Sequence, residues 1–233
     1  MIFPIGDDKL TGIHKPIVSY TLIALNVLFF IAQSLAPNQL IPELAAVPSE
    51  ILAGEKLHTL FTSMFMHGGF MHILGNMLFL WIFGDNIESV IGSIKFALFY
   101  IAGGLFATFA HILLDPSSYT PMVGASGAIA AVMGAYIIMF PKSQIKLLFL
   151  LNMSTFKIGA VYFLGFWIAQ QVLSGIGALG MLGQNQGGVA YWAHIGGFIA
   201  GVGIGFLFKK INNKVQHELE FEEQEPVWTR YVT

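Results

Sequence analysis

Six apolar runs of near-membrane length, joined by mostly short polar connections, leave this chain few ways to fold. They lie at roughly 17–36, 67–84, 94–114, 123–140, 158–176 and 190–208. About 20 consecutive apolar residues in helical form cross the hydrocarbon core of a bilayer. In lipid the backbone polar groups of a run can bond only to one another, which makes each run a helix. Charged residues are 10% of the 233, against about 25% in a soluble domain, too few to coat a water-facing surface. The expected fold class is an all-α polytopic membrane protein, a six-transmembrane-helix bundle. Its expected parts are an N-terminal segment (1–16), a membrane domain (17–208) and a C-terminal tail (209–233).

Composition removes several function classes. There is no cysteine, hence no disulfide, thiolate nucleophile or Cys-ligated metal. A net charge of −2 makes no electrostatic case for nucleic acid. Absence of an internal repeat disfavours a secondary transporter. There is no His-Glu-x-x-His motif, and no aspartate inside the six runs, so zinc-hydrolase and aspartyl chemistry are set aside. No metal or cofactor is expected. The N-terminus lacks the basic stretch of a cleaved signal peptide.

Charge sets the expected orientation. With six spans both termini share a side, and Lys9, Lys15, Lys95, Lys142, Lys146, Lys157, Lys209, Lys210, Lys214 and Arg230 fall on it, leaving Lys56 alone on the other. This positive-inside bias makes both termini cytoplasmic. The acidic stretch Glu218 to Glu225 reads as a solvated extension. Residues 37–66 form a long, partly apolar first outer loop that should pack on the bundle or dip into the interface. Ile145 to Leu151 reads as a partly buried connector.

Polar residues inside membrane-grade sequence are costly and are read first as functional. Ser126 opens the fourth run within Gly124-Ala125-Ser126-Gly127, and His194 lies near the start of the sixth. His67, His72 and Asn76 lie in the outer half of the second. Three runs that all start on the outer side thus bring hydrogen-bonding groups to one level, roughly 5–10 Å deep at about 1.5 Å per residue. The chemistry this supports is nucleophilic: His194 takes the Ser126 proton. His72 and Asn76, four apart and so on one helix face, are candidate oxyanion donors with the Ser126 backbone N–H. Gly124 and Gly127 permit a tight turn around the serine. Gly197, Gly201 and Gly205 form a small-residue stripe, expected to pack on the Ser126, Ala130, Gly134 face of the fourth span.

Blander readings stand beside these. A Gly-rich serine motif is by itself usually a packing device; a histidine and further donors at the same depth argue against that here. His67, five before His72, points elsewhere and nearer the surface, as a supporting residue. His111 and Asp115 read as interfacial, although Asp115 could in principle orient His194. Gln170 and Gln171 either face a cavity or make interhelical hydrogen bonds. Asn26 reads as a structural hydrogen bond, and Phe166 and Trp167 are candidate gate residues.

At these residues the sequence resembles the rhomboid family of intramembrane serine proteases, over about residues 17–208. The motifs, in the family's order, are His67-x4-His72-x3-Asn76, Gly124-x-Ser126-Gly127 and Ala193-His194-x2-Gly197-x3-Gly201. The resemblance implies a rhomboid-type six-helix bundle, a Ser126/His194 dyad without a carboxylate, His72 and Asn76 in the oxyanion hole, and a water-filled cavity open to the outer side. Glu88 matches a structural acidic position. Two positions depart from the pattern. His58 and Thr59 stand where many relatives have Trp-Arg in the first outer loop, leaving that loop's anchor open. Ala130 stands where some relatives have a tyrosine against the catalytic imidazole, so something else must orient His194.

The expected function is an intramembrane serine endopeptidase whose partners are transmembrane protein substrates and the lipid bilayer. The expected location is a prokaryotic cytoplasmic membrane with the site toward the outer side. Oligomeric state is not legible. The rival is a non-catalytic protein that binds transmembrane helices; it predicts a missing nucleophile or base, and both are present.

Overall fold

The computed structural model describes residues 2–8, 14–178 and 189–224, with backbone only for 215–224. Lys9, Arg230 and the side chains of Glu218 to Glu225, used above for orientation and the tail, lie outside the described residues. Among the described residues, five helices are long and apolar enough to cross a membrane: α1 (Ile17–Leu35), α5 (Phe70–Ile91), α6 (Ser93–Leu114), α8 (Ala160–Ala178) and the Tyr191–Lys214 part of α9 (Tyr191–Gln224). The fourth run yields α7 (Ser126–Met139), whose 14 residues span roughly 21 Å at about 1.5 Å each, so by length the count is five. Residues 123–125 lead into α7 instead of extending it.

Helix α1 reveals the solvent. Its buried residues are Ser19, Asn26 and Gln33, seven apart on one face, while Leu28, Ile31 and Leu35 on the outside are 54–84% exposed. A helix with polar groups inward and leucines outward suits a hydrocarbon surround. Asn26 donates its amide to Leu22 O one turn back (2.8 Å), an intrahelical bond.

Helix α5 starts three residues later than the 67–84 run and ends seven later. Gly68-Gly69 keeps His67 outside the helix, and Gly92 at φ +83° stops it. Asp85 and Glu88 therefore lie within α5. Glu88 is fully buried and caps α1: its carboxylate accepts the N–H of Val18 and of Ser19 (both 2.7 Å) and the hydroxyls of Ser19 (2.7 Å) and Ser93 (2.5 Å). Two donors orphaned at a helix start are thereby satisfied, fixing α1 to the α5–α6 turn.

The stretch read as a connector is sheet. Strand β2 (Gln144–Phe149) lies between β1 (Ile2–Asp7) and β3 (Ser154–Gly159), both antiparallel to it. Its pattern has period two: Ile145 and Leu147 are buried while Gln144 and Lys146 are exposed. The N-terminal segment is thus held against the bundle. Asp7 accepts hydrogen bonds from the Tyr136 hydroxyl and from Asn86 Nδ2, and Lys157 pairs with Asp8 at 2.7 Å. Burial pushes the Asp7 carboxyl up to about 7; the Tyr136 bond opposes this and the nearby Asp85 and Asp8 add to it.

At the opposite end the 37–66 loop packs on the bundle as expected, as α2 (Pro37–Leu44), α3 (Pro48–Leu52), α4 (Thr59–Thr62) and a 3-10 turn at 63–65. Ala46 and Ile51 bury against Ile112 of α6. Ala46 and Met122 exchange two backbone bonds (3.1 and 2.7 Å), tying this loop to the segment before α7. At one of the two departing positions, His58 Nε2 bonds Glu43 O (3.1 Å); the Thr59 hydroxyl bonds Lys56 O (2.7 Å).

Candidate active site

Helices α7 and α9 run parallel with backbones in contact. A Cβ added to Gly197 would strike Gly127 O, one on Gly201 would strike Ala131 O, and one on Gly134 would strike Phe198 O; on Gly205 it would lie 2.9 Å from the Ala135 Cα. The stripe on α9 therefore packs on α7 as expected, but the face it meets is Gly127, Ala131, Gly134 and Ala135. Gly134 of the anticipated face is in the seam; in place of Ser126 and Ala130 the contacts come from Gly127 and Ala131, one residue on. Ser126, one residue before Gly127, turns its hydroxyl to the first turn of α9.

Ser126 is the first residue of α7 and His194 lies in the first turn of α9. His194 Nε2 and Ser126 Oγ are 2.8 Å apart. The other ring nitrogen, Nδ1, lies 2.8 Å from Gln171 Oε1 on α8. Both His194 (9% exposed) and Gln171 (8%) are buried. Gln171 makes an interhelical bond, whereas its neighbour Gln170 lines the cleft described below. Asp115 at the end of α6 is not the partner of Nδ1. Trp167 lies against the imidazole, ring centroids 5.7 Å apart.

The second group of residues converges on Gly124. Its φ of +122° belongs to the region that glycine tolerates and side chains do not. A Cβ there would lie 2.8 Å from His72 Nε2 and 3.4 Å from Asn76 Nδ2. The Gly68 N–H donates to His72 Nδ1 (3.2 Å), which leaves the ring proton on Nε2, facing Gly124. Asn76 is buried, and its Nδ2 has no partner among the described residues. The Ser126 N–H heads α7 and has no intrahelical acceptor. Two side-chain donors thus lie at Gly124, two residues before the serine and its free N–H. Gly124 itself is held by its N–H to Ser63 O (2.9 Å), a contact from the first loop.

His67 is not near the surface. It is fully buried, edge-on to His72 at 5.2 Å, with both ring nitrogens unpartnered among the described residues. The Gln33 side chain clamps its backbone, accepting from His67 N (3.0 Å) and donating to His67 O. Gln33 and Ser63 were not among the residues expected to support the site. The seven-residue spacing of Ser19, Asn26 and Gln33 was the available signal for the first; Ser63 had none.

Two spaces adjoin these groups. A cavity of about 30 Å³ lies beside Ser126, lined by Ser63, Thr108, Gly124 and Ala193 among others. One water needs roughly 10–15 Å³ measured this way. A larger, mostly apolar cleft of about 500 Å³ runs between α5 and α8, walled by Leu74, Leu78, Phe163, Phe166 and Trp167 and reached by Ile2 to Pro4 of β1.

Comparison with known proteins matches residues 54–211 to the Rhomboid domain. The chain is 29% identical over 196 residues to Rhomboid protease GluP of Bacillus subtilis, covering 82% of this chain and 35% of that protein. It is 31% identical over 163 residues to Rhomboid protein 1, mitochondrial, of Saccharomyces cerevisiae (68% and 44%). It is 30% identical over 152 residues to Rhomboid-related protein 2 of Mus musculus (61% and 45%). The chain thus spans less than half the length of these relatives.

Proposed function

Because this chain belongs to the rhomboid family, we propose that it is an intramembrane serine endopeptidase cleaving peptide bonds in or near the transmembrane segments of other membrane proteins. The observation that carries this reading is the 2.8 Å contact between Ser126 Oγ and His194 Nε2, with Asn76 Nδ2, unpartnered among the described residues, close to Gly124 two residues before the serine. His194 Nε2 takes the Ser126 proton as Oγ attacks the scissile carbonyl carbon. The carbonyl oxygen becomes an oxyanion held by His72 Nε2–H, Asn76 Nδ2 and the Ser126 N–H. His194 then gives its proton to the leaving amine, and the peptide C–N bond breaks to leave an acyl ester on Ser126. A water deprotonated by His194 attacks that ester and restores the serine. The cavity beside Ser126 offers such a water a polar place to wait.

Topology and substrate route follow from the same reading. α7 serves as the sixth crossing, its 14 residues shielded from lipid by the surrounding helices. The positive-inside bias supports cytoplasmic termini and a site toward the outer side. The proposed location is a prokaryotic cytoplasmic membrane, the one mitochondrial name above being that of the Saccharomyces cerevisiae relative. Substrates pass laterally through the α5–α8 cleft and carry small or helix-breaking residues near the scissile bond, because a regular helix hides its carbonyls. The test is labelling by a fluorophosphonate probe of the folded, detergent-solubilised chain. Wild type is expected to label, and Ser126→Ala and His194→Ala are not. An unlabelled, folded wild type would instead support the non-catalytic helix-binding reading.

A further inference from the structure

We propose that Gln171 is the positioning residue that holds His194 in its working tautomer, a role that rests on the Ser126–His194 reading above. A neutral imidazole has one N–H, and only the other nitrogen can accept the serine proton. Free histidine favours the proton on Nε2, which would turn the wrong end of the ring to Ser126. At this site Nε2 faces Ser126 Oγ and Nδ1 faces Gln171 Oε1, each at 2.8 Å. An amide oxygen only accepts, so with it directed at Nδ1 the proton must reside there. Nε2 is then left with its lone pair toward the Ser126 hydroxyl. The tautomer of a histidine is set by the bond its second nitrogen makes, and in the Ser-His-Asp arrangement a carboxylate makes that bond. A buried carboxylate at membrane depth would need a partner of its own. The neutral glutamine supplies the acceptor without that burden.

Among the described residues, Gln171 is the one hydrogen-bond partner of Nδ1. Among the described residues, Asp115 bonds through its backbone, donating N–H to His111 O (2.9 Å) and accepting from Ser118 N–H (3.2 Å). The ionisable groups facing His194 from α5 and α6 are His72 and His111, and Nδ1 of His72 already accepts from Gly68. Trp167 packs on the ring (centroids 5.7 Å apart), and Gln171 and Ser126 meet its two nitrogens. Gln171 comes from α8, which also forms one wall of the α5–α8 cleft, so the helix at the substrate's entrance also carries the acceptor that readies the base.

The experiment uses the full chain in detergent, with Gln171→Leu to remove the acceptor at similar volume and Gln171→Glu to restore one. Glutamate keeps an acceptor oxygen at the same reach whether ionised or protonated. Two readouts are taken: cleavage of a transmembrane substrate, and the imidazole 15N chemical shifts of His194, assigned by comparison with His194→Ala. Expected for wild type is a protonated Nδ1 and an unprotonated Nε2. For Gln171→Leu the expectation is a shift toward Nε2–H, with kcat down about 10- to 100-fold, the range for leaving one buried donor unpaired, and KM within about 3-fold. Gln171→Glu should recover most of the kcat and the Nδ1–H signature. The proposal is overturned if Gln171→Leu retains Nδ1–H or wild-type kcat, or if its loss lies in KM and melting temperature and glutamate does not restore it. A wild type that neither cleaves nor labels, yet shows the Nδ1–H tautomer abolished by Gln171→Leu, would sink the protease reading and leave the tautomer assignment standing.

Discussion

Replacing Glu88 by glutamine should loosen the whole bundle while leaving the chemistry of the opposite end intact. In the native fold one carboxylate oxygen accepts Val18 N–H and the Ser93 hydroxyl, and the other accepts Ser19 N–H and its hydroxyl. Glutamine keeps the shape but turns one oxygen into an N–H donor. A hydroxyl can rotate to accept from it; a backbone N–H cannot. One α1 N–H is therefore orphaned whichever way the amide is set, and the remaining bonds lose their ionic reinforcement. A hydrogen bond to a charged group contributes about 1.5–3 kcal/mol, and an unsatisfied buried donor costs about 1–3 kcal/mol. Because these describe partly the same loss, the net is about 3 kcal/mol. For a chain of this size that lowers the melting temperature by roughly 6–12 °C. Glu88→Ala orphans both N–H groups and should cost about 4–6 kcal/mol. Ser93→Ala, which removes one hydroxyl and no backbone partner, should cost about 1 kcal/mol.

The assay is thermal unfolding of the purified protein in a mild detergent, with cleavage of a transmembrane substrate measured well below the melting temperature. Glu88 lies twelve residues beyond Asn76 on α5, roughly 18 Å along the helix, so kcat of the folded fraction should stay within about 3-fold of wild type. A Glu88→Gln protein that melts like wild type would refute the capping account. One that keeps its melting temperature and loses activity more than about 10-fold would move Glu88 from scaffold to mechanism.

Three further outcomes are expected. Asn76→Ala should lower kcat about 100-fold or more, the usual loss for one oxyanion donor, with KM little changed; a rise in KM at constant kcat would make Asn76 a binding residue. Gly201→Ala would place a methyl on the Ala131 carbonyl and force α7 from α9, lowering the melting temperature and cutting kcat at least about 10-fold as Ser126 and His194 separate. Gly203→Ala, on a side of the same helix where nothing lies within 4 Å, should do neither, and equal damage from both would exclude backbone contact as the cause. Asp7, raised to about 7 by burial, binds its proton more tightly folded than unfolded, so its contribution to stability is full below the unfolded value near 3.8 and is lost as pH rises through about 7. The difference is on the order of 2–4 kcal/mol, to be read as a melting temperature that falls between pH 5 and 8 in wild type and falls distinctly less in Asp7→Asn. A rise over that window would show that the bonds from Tyr136 and Asn86 outweigh desolvation.

The elements themselves were legible because a hydrocarbon surround forces long apolar runs to be helices. Their ends were less so. The second run was misjudged at both ends because glycines at 68, 69 and 92, not hydropathy, stop α5. The sheet was missed because its central strand is as apolar as a connector under a membrane, and because β1 pairs with it across some 140 residues of chain. The alternation of Gln144, Ile145, Lys146 and Leu147 was there to be read.

At the site, the residue types and their common depth were in the sequence: a serine, histidines and an asparagine in runs where each needs a reason, and a glycine stripe that lets two helices touch. Which atoms meet was not. The place of Gly127 and Ala131 beside Gly134 in the α7 seam, the burial of His67 against His72, Gln33's hold on His67 and the choice of Gln171 over Asp115 as the partner of His194 depend on how rods from distant parts of the chain turn about their axes. A run's period fixes which residues share a face. Only packing against other helices decides which face looks inward, because lipid offers every face the same apolar welcome.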